Sequence, residues 1–529
     1  MPTDCISYQE SGYFTPIIND YLDRQPQLAP FYNRFPTLEN FGAQIEEKKP
    51  NFNPAHRIVL VESLHNQYKN FTVSAKTKTH IDALAQENTF TVTTGHQLNL
   101  FTGPLYFLYK IVSAINLAKQ LQLAYPDCHF VPVYWMATED HDFEEINYFN
   151  CNGKKFRWNR ESTGPVGRLN LDGLQDVYEV FAHELGLGKN ADTLRQWFSD
   201  AYLSHDNLAD ATRHLANRLF GEQGLVIVDG DDPALKQLFA PYVKTELLEQ
   251  RSFAKVSETI DDLKDYAIQV NPREINLFYI GDNLRERIVF EANGYRVNNT
   301  SIRWTRDEIL AELDAKPENF SPNVILRPLY QEVILPNLCY IGGGGELAYW
   351  FELQSFFKSV DVTFPILLLR NSVLLATQKQ ADKANRLGLT WQDLFRKPSE
   401  LANQKINELS KFPIDLTAHK TALEKQFDDL YRIAEQTDRS FSGAVKAQQA
   451  KQTKGLENLE KRLLKAQKRK HADELERIAL LQESLFPGGG LQERKVNFAE
   501  FYAQSGDALI QNLLAALDPL ENRFDVLVL

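Results

Sequence analysis

Segments rich in β-branched and aromatic residues alternate with helical patterns over much of this 529-residue chain. The segment Thr89–Thr94 precedes a predicted helix from about Pro104 to Leu123, with Pro104 at the favoured first helical position. Alternation of this kind predicts βα units around a parallel sheet, and therefore the α/β fold class. Further strands are predicted at Phe130–Ala137, at Leu225–Val228 (before a helix from Pro233 to about Leu248), at Val324–Leu326 and at Ile366–Leu369.

Two regions depart from this alternation. Leu277–Val297 alternates polar and apolar residues, with Gly281 and Gly294 at turn positions, which predicts antiparallel β-hairpins in a small subdomain. After Leu416 the apolar residues recur at helical spacing, and a longer charged helix is predicted from about Phe441 to Leu485, ended by Pro487 and three glycines. Narrow apolar seams flanked by Lys and Glu predict an antiparallel coiled coil.

These patterns predict the following domain organisation. The core has a first part at residues 1–270 and a second part at 321–400. A connecting subdomain with β-hairpins lies at 271–320, the helical coiled coil at 401–487, and a C-terminal segment at 488–529 returns to the core.

Composition excludes several classes of function. The formal net charge of −12 argues against general nucleic-acid binding, although it leaves room for small anionic ligands at a local site. The four cysteines form no CxxC motif, which indicates free thiols in a reducing cytosol. No secretory signal is recognised, and the most apolar stretch is interrupted by Arg370, so we expect a cytoplasmic protein that is not embedded in a membrane.

A first polar cluster follows the strand Thr89–Thr94, where a parallel strand would hand over to its helix. Ligands of open α/β sheets bind at the carboxyl ends of strands, and helix amino termini attract phosphate and carboxylate groups. The alternative is a plain helix cap and a satisfied loop. The candidate binding residues are Thr94, Gly95, Gln97, Asn99 and Gly103, and His96 is a candidate catalytic residue.

A second cluster follows the strand Phe130–Ala137 and consists of Glu139, Asp140, His141 and Asp142. Carboxylates and an imidazole at a strand end could supply a general base, hold a substrate ammonium or bind Mg²⁺ through oxygen atoms. The alternative is a solvated helix start, which explains Glu144 and Glu145 well and His141 poorly. Zinc is disfavoured because no third ligand stands at a recognisable spacing.

A third cluster combines Arg327 with the glycines Gly342, Gly343, Gly344 and Gly345, and with Glu346 and Tyr349 just after them. A glycine run before a helix-forming segment predicts a flexible nest for phosphates or a sugar, and an arginine that follows a strand suits a carboxylate or phosphate. A glycine-rich linker is the alternative. Arg370, at the end of the strand Ile366–Leu369, is a weaker candidate.

The basic run Lys461–His471 has acidic neighbours and no interleaved aromatic residues. This pattern favours a solvated face of the coiled coil over a nucleic-acid interface.

Long motifs around these clusters, in the same order along the chain, closely resemble the bacillithiol biosynthesis cysteine-adding enzymes, a family of cysteine ligases. The motifs are TTGHQLNLFTGPLYFLYK, VPVYWMATEDHDFEEIN, SPNVILRPLYQEVILPNLCYIGGGGELAYW and KRLLKAQKRKHADELERI. The resemblance implies a Rossmann-like core related to nucleotidyltransferases, a small connecting subdomain and a coiled coil used for homodimerisation. It also implies that L-cysteine is joined through its carboxyl group to the amine of glucosaminyl malate.

The resemblance further implies a dependence on ATP or another nucleotide, with Mg²⁺ as a possible companion, because an amide forms in water only from an activated carboxyl group. On this hypothesis the segment 94–99 and the helix start at Pro104 hold phosphate or the malyl carboxylate. Asp140, His141 and Asp142 orient or deprotonate the amine. The glycine run with Glu346 holds the sugar or the nucleotide, and Arg327 pairs an anionic group.

Two other functions remain open at this point. One is a different ATP-dependent ligase or nucleotidyltransferase on the same scaffold, and the other is a coiled-coil scaffold protein without activity. The ligase hypothesis requires that the His96 turn, the acidic cluster from Glu139 and the four glycines line a single cavity.

Overall fold

The computed structural model of the protein describes residues 4–291, 294–437 and 439–529. The chain forms two compact units. The first unit contains the residues up to Leu375 together with Gln492–Leu529, and the second contains Ala376–Leu491.

The first unit is built on a five-stranded sheet in which every neighbouring pair of strands is parallel. Its strands are β1 (Thr89–His96), β2 (His129–Met136), β3 (Val226–Asp229), β4 (Asn337–Gly342) and β5 (Ile366–Leu369). Their order across the sheet is β3-β2-β1-β4-β5. This is the Rossmann order, in which the chain leaves β1 in one direction and later returns to the other side of it. The predicted α/β class with a Rossmann-like parallel sheet is therefore confirmed.

Both faces of this sheet are covered, which explains why its strands read as nearly continuous apolar runs. On one face, Val92 and Ile341 pack with Leu117 of helix Tyr106–Ala124 and Phe41 of helix Leu38–Asn51. On the other face, Trp135 lies edge-on to Tyr330 of helix Leu326–Ile334, at 5.4 Å between ring centroids. Gly95 and His96, predicted to lie in a loop, are the last two residues of β1.

The connection after β1 is held in an unusual backbone conformation. Phe101, Thr102 and Gly103 have φ values of 47°, 68° and 62°, a region that residues with a Cβ rarely adopt. Burial of Phe101 and a hydrogen bond from its N–H to Tyr202 Oη at 2.8 Å help to offset this cost. Asn497 donates to the carbonyls of Phe101 and Gly103 at 2.7 and 2.6 Å. The following helix consequently begins at Tyr106 and not at Pro104.

A second five-stranded sheet in this unit is antiparallel, as predicted for the connecting subdomain. Its strands, in order across the sheet, are Arg303–Trp304, Gly294–Val297, Leu284–Glu291, Leu277–Gly281 and Phe320–Pro322. The predicted turn before Gly294 includes residues 292 and 293, which lie outside the described residues.

The predicted strand at Val324–Leu326 is wrong. The strand ends at Pro322, and the side chain of Asn323 accepts the N–H groups of Ile325 and Leu326, which starts a helix there instead. The strand of the central sheet is β4, eleven residues further along, which the sequence reading treated only as a packed apolar segment. Arg327 therefore lies in the first turn of helix Leu326–Ile334 and does not end a strand.

The remaining elements surround the two sheets. The C-terminal strand Arg523–Val528 pairs antiparallel with Asp4–Ser7 and lies beside Ser372–Ala376, so the C-terminal segment does return to the core. The strands Tyr148–Cys151 and Lys154–Arg157 form a separate hairpin. The other helices of this unit are Tyr8–Ser11, Pro16–Leu22, Pro54–Gln67, Ala75–Ala83, Phe143–Ile146, Leu174–Glu184, Lys189–Tyr202, Leu208–Phe220, Pro233–Glu249, Arg251–Asp262, Arg306–Ala315, Gly344–Phe351, Gln354–Ser359, Ala499–Ser505 and Ala508–Ala516.

The second unit is helical, as predicted. Helices Thr417–Ala434 and Arg439–Lys470 run antiparallel, since Tyr431 bonds Gln449 at 2.8 Å while Lys420, nearer the start of the first helix, pairs with Glu460, further along the second. The single long helix predicted to reach Leu485 is interrupted at His471, and its remainder is Ala472–Leu485. The shorter helices are Gln378–Arg386, Trp391–Phe395 and Pro398–Leu409.

Among the described residues, none of the helices combines the length and the apolar character that crossing a bilayer requires.

Asn497 should be a strong contributor to stability, because it is the shared donor for two buried carbonyls of the strained connection. We expect Asn497→Ala to lower the free energy of unfolding by about 3 kcal/mol, since each buried carbonyl would lose its partner. Urea unfolding followed by circular dichroism measures this. Asn66→Ala, at an exposed helical position, is the control and should change the free energy by less than about 0.5 kcal/mol. A similar small effect for both variants would contradict the role given to Asn497.

Candidate active site

A cavity of about 750 Å³ opens at the carboxyl ends of β1, β2 and β4. It therefore includes the point between β1 and β4 where the strand order reverses, the place where doubly wound sheets bind ligands. The hairpin sheet and the segment that leads into it form the opposite wall. The three predicted clusters do line this one cavity.

Most of the predicted site residues face the cavity. These are Gly95, His96, Gln97, Glu139, Asp140, His141, Asp142, Arg327, Gly343, Gly345, Glu346, Tyr349 and Arg370.

Five predicted binding residues do not belong to its lining: Thr94, Asn99, Gly103, Gly342 and Gly344. Their contacts are internal to the protein. Thr94 Oγ1 donates to the Ile341 carbonyl at 2.8 Å, which ties β1 to β4. Asn99 donates to the Glu145 carbonyl at 3.2 Å and packs against Gly103. The helix start near Pro104 is also occupied, because the Leu105 N–H donates to the Val496 carbonyl.

The four glycines are not a flexible nest. Gly342 ends β4, Gly343 precedes the helix, and Gly344 and Gly345 are its first two residues. A Cβ on Gly342 would lie 2.9 Å from side-chain atoms of Glu346 and Leu347, and one on Gly344 would lie 3.2 Å from Ile18. Gly342 and Gly344 are thus required for packing, whereas Gly343 and Gly345 leave the cavity wall without side chains.

An ion pair between the buried Lys110 and the partly exposed Glu346 joins the two sides of the point where the strand order reverses. Lys110 Nζ lies 2.5 Å from Glu346 Oε2 and donates to the Gly95 carbonyl at 2.7 Å. Glu346 also accepts from Tyr340 Oη at 2.7 Å and from the Gly343 N–H at 2.9 Å. Burial alone would raise the pKa of Glu346, but Lys110 and these hydrogen bonds hold it below its usual value.

The sequence reading missed Lys110, although a signal was present. Lys110 lies in the first part of helix Tyr106–Ala124, whose residues from Phe107 to Ala118 are all buried. A lysine is almost never buried without a partner, so a lysine within an apolar helix indicates a polar site. Burial lowers the pKa of Lys110, and Glu346 acts in the opposite direction.

Two arginines complete this side of the cavity. Arg327 donates to Tyr349 Oη at 3.3 Å and to Gln331 at 3.1 Å, and it pairs with no carboxylate of the described residues. Arg370 donates to Glu493 at 2.7 Å and is almost fully buried. One charge on this side, that of Arg327, is therefore not neutralised by a protein carboxylate.

The acidic cluster forms a tight turn after β2. Asp140 accepts the His141 N–H at 2.7 Å, and the amide of Gln97 donates to its other oxygen at 2.9 Å. Arg285, from the hairpin sheet, approaches His141 Nδ1 at 2.5 Å. Because a guanidinium can only donate, His141 Nδ1 is the acceptor in this contact.

This cluster also resembles a metal site in part. Ligand atoms of Asp140, His141 and Asp142 lie within 4.8 Å of one another. The two carboxylates are suitable for Mg²⁺, which prefers oxygen ligands. His141 Nδ1 is used by Arg285, which leaves Nε2 as the nitrogen through which His141 could join them.

Glu139 is fixed from behind by a buried cation. Lys236 pairs with Glu139 and donates to the Phe320 carbonyl at 3.0 Å. Burial raises the pKa of Glu139, with Lys236 opposing the shift. Nearby, Asp231 is held by Arg168 through two hydrogen bonds, at 2.7 and 2.9 Å. Glu139 is therefore a fixed part of the wall.

His96 is buried against aromatic rings, with ring centroids 5.3 Å from Tyr106 and 5.1 Å from Phe107. Its Nε2 has no hydrogen-bond partner among the described residues. Burial, followed by the charges of Lys110 and Arg370, lowers its pKa well below the usual value, so the ring is neutral at physiological pH.

Seven Lys or Arg side chains and four Asp or Glu side chains line the cavity, although the whole chain has a net charge of −12. The cations that the sequence reading missed, besides Lys110, are Arg273, Arg285, Arg287 and Arg494. Arg285 and Arg287 are two residues apart in one strand and so project to the same face. The resulting local field attracts anionic ligands.

The fold and the cavity define a class of protein: a Rossmann-like protein with an anion-attracting cavity where its strand order reverses. Sequence comparison is more specific. Residues 1–371 match the family description "Bacillithiol biosynthesis BshC, N-terminal Rossmann-like domain", and residues 373–529 match "Bacillithiol biosynthesis BshC, C-terminal coiled-coil domain". The chain belongs to the bacillithiol biosynthesis BshC family, which confirms the resemblance found in its motifs.

Similar proteins extend over the full length. A protein of Flavobacterium johnsoniae is 63% identical over 529 residues, covering all of both chains. One of Cytophaga hutchinsonii is 39% identical, covering 97% of this chain and 96% of the other, and one of Bacillus thuringiensis is 27% identical, covering 94% and 95%. Each is named "Putative cysteine ligase BshC". A solved structure titled as a putative arginyl tRNA synthetase of Campylobacter jejuni has a TM-score of 0.20 at 12% identity over 80% of this chain and all of that chain, too low to define a shared fold.

The two roles of the glycines predict opposite effects of alanine. Gly342→Ala should lower the free energy of unfolding by about 1–3 kcal/mol, because its methyl group would overlap the Glu346 and Leu347 side chains. Gly345→Ala should leave stability unchanged or raise it by up to about 1 kcal/mol, since the nearest atom is 3.9 Å away and alanine favours the helix. Thermal and urea unfolding of both variants measure this. An equal loss of stability in the two variants would refute the different roles given to Gly342 and Gly345.

Proposed function

We propose that this protein is a cysteine ligase, which joins the carboxyl group of L-cysteine to the amine of glucosaminyl malate and so completes the low-molecular-weight thiol bacillithiol. One observation carries the proposal: a single cavity, where the strand order reverses, presents the acidic cluster together with a cationic wall formed by Lys110, Arg327 and Arg370. One substrate contributes an amine and carboxylates, and the other a carboxyl group, so both kinds of surface are needed. Membership of the family and the names of the similar proteins support this function.

The acidic cluster is suited to the attacking amine. An amine arrives as an ammonium ion and must lose a proton before it attacks a carbonyl carbon. Asp140 and Asp142 supply negative charge for the ammonium, and partial burial together with the charge of Asp140 raises the pKa of Asp142. Asp142 is thereby a better proton acceptor than an ordinary aspartate. His141, held by Arg285, orients the group.

The cationic wall formed by Lys110, Arg327 and Arg370 is suited to the carboxylate or phosphate groups of the substrates. Arg327, which has no carboxylate partner in the described chain, can form a charge-assisted pair with a substrate carboxylate or phosphate. Tyr349 and Gln331 hold its guanidinium in place, so little ordering is needed on binding.

Activation of the cysteine carboxyl group needs an energy donor, for which we propose ATP. Amide formation in water requires an acyl-adenylate or acyl phosphate, and the cationic wall favours both as anions. Mg²⁺ bound with the nucleotide would supply positive charge to its phosphates, and Asp140 is the carboxylate suited to hold it, since Asp142 acts as the proton acceptor.

The ligase test follows amide formation by mass spectrometry with L-cysteine, glucosaminyl malate, ATP and MgCl₂. We expect Asp142→Asn and His141→Ala to lower the rate at least 100-fold, in the usual range for loss of proton transfer and orientation. Asp261→Asn, an exposed position outside the cavity, is the matched control.

Product formation by both site variants at the parent rate would refute the assignment of the acidic cluster. Absence of product from the parent protein, with another amine acylated instead, would favour a different ligase on this scaffold. Thermal unfolding of each variant shows whether a loss of rate reflects a loss of folded protein.

We further propose that the protein is a cytoplasmic homodimer that associates through its coiled coil. The side chains of Leu430, Ile433 and Leu459 are exposed on the coiled-coil helices, and the four cysteines are free thiols. Apolar side chains of this kind are expected at a contact between copies. Sedimentation of the parent and of a Leu430→Glu, Ile433→Glu variant tests the association. We expect the mass of a dimer for the parent and of a monomer for the variant, and the same mass for both proteins would refute the proposal.

A further inference from the structure

The first turn of helix Gly344–Phe351 leaves backbone donors free in the cavity wall. The Gly343 N–H donates to Glu346, whereas no acceptor in the described part of the chain receives the N–H groups of Gly344 and Gly345. The first N–H groups of a helix have no partner within it and favour negative charge. A helix start alone does not define a site, but a second feature points at the same place.

That feature is a buried arginine with one unused donor. Arg370 is 4% exposed, and its two terminal nitrogens donate to Glu493, Asn371 and Ser372. Its Nε is the nitrogen that has no partner among the described residues. This Nε lies 3.7 Å from the point that a Cβ on Gly343 would occupy. A buried N–H group of a cation therefore faces the space that the missing side chain of Gly343 leaves open.

A neutral histidine borders the same region. His96 is 7% exposed and lines the cavity, and its Nε2 is also without a partner in the described chain. Tyr106 connects the two groups, since the His96 ring is 5.3 Å from its ring and the Arg370 guanidinium carbon lies 5.2 Å from the same ring centroid. Each of these buried polar groups without a partner calls for an explanation, of which a bound ligand is one.

We propose that the space in front of Gly343 is an oxyanion subsite, in which the Arg370 Nε–H and the free N–H groups of the helix start bind a carboxylate or phosphate oxygen. The Glu346 carboxylate lies beside this space and is paired with Lys110, and Glu493 is paired with Arg370. Arg327 adds an unpaired positive charge to the same wall. The subsite thus differs from the helix start near Pro104 expected from the sequence, whose N–H at Leu105 is already used.

Within the proposed ligase, on which this part of the inference rests, two groups have the required chemistry. One is a carboxylate of the malyl substituent, and the other is a phosphate of the activating nucleotide. Each presents oxygen atoms to N–H donors in the same way. The test therefore uses one probe for each source, L-malate and inorganic phosphate.

The sharpest variant is Gly343→Ala. Gly343 has φ −76° and ψ 170°, which alanine adopts readily, and its added methyl would lie 3.5 Å from Glu346 Oε2 and 3.7 Å from Arg370 Nε, ordinary contact distances. The variant should therefore fold normally while its methyl group fills the subsite. Gly281→Ala is the matched control, because it lies in the same unit, outside the cavity lining, with its nearest atom 3.9 Å away.

Calorimetric titration of the full-length protein with each probe measures the subsite directly. We expect the parent and Gly281→Ala to bind at least one probe with equal affinity, and Gly343→Ala to bind that probe at least tenfold more weakly. Preferential binding of L-malate assigns the subsite to the sugar's acid substituent, and preferential binding of phosphate assigns it to the nucleotide. Unchanged affinity in Gly343→Ala, or no binding of either probe by the parent, would overturn the proposal.

Arg370→Lys provides a second test, should Gly343→Ala lower the melting temperature. Lysine keeps the positive charge beside Glu493 but has no Nε–H in this position, so the same loss of binding is expected. These titrations need no turnover. Loss of binding in both variants, without any amide product from the parent, would support the subsite and refute the ligase. Amide product from the parent, with unchanged binding in both variants, would support the ligase and refute the subsite.

Discussion

The geometry of the cavity depends on the ion pair formed by the buried Lys110 and Glu346. Lys110 comes from the helix after β1 and Glu346 from the helix after β4, so the pair spans the place where the strand order reverses. Lys110 also donates to the Gly95 carbonyl at the end of β1. Glu346 accepts the N–H of Gly343, which follows the end of β4. Removing one partner of such a pair costs several kcal/mol, because the other charge stays buried. The pair therefore fixes the spacing of both strand ends.

Neutralisation within this pair shapes the electrostatics around it. Because Glu346 is used by Lys110, and Glu493 by Arg370, neither carboxylate can neutralise Arg327. At the acidic cluster, Arg285 of the hairpin sheet contacts His141, while the side chain of Asp142 is exposed. The cavity thus presents both an acidic cluster and unpaired positive charge in a chain whose net charge is −12. A cavity lined by both signs of charge is complementary to a ligand that carries both signs.

Strand composition and turn residues were enough to predict the α/β class and the hairpin sheet, and apolar residues at helical spacing predicted the coiled coil. The convergence of the three clusters was a requirement of the ligase hypothesis, which came from the motifs. Strand composition and turn residues failed at 324–326, where Asn323 starts a helix through its side chain, a local hydrogen bond that apolar composition does not show. They also missed β4, whose apolar residues precede the four glycines and were not recognised as a strand. Arg285 and Arg273 could not be predicted as site residues, since the packing of the hairpin sheet against the parallel sheet is a tertiary property.

The glycine run shows why a backbone can form part of a binding wall where side chains cannot. Gly342 and Gly344 are fixed by steric contact with neighbouring elements, so the helix start cannot move away from β4. The same packing fixes the positions of Gly343 and Gly345, which expose backbone atoms and no side chain to the cavity. Donors held this rigidly lose little entropy when they bind a ligand, whereas a long polar side chain in the same place would have to be ordered first. Tight packing on one side of the segment is thus the physical reason for an open surface on the other.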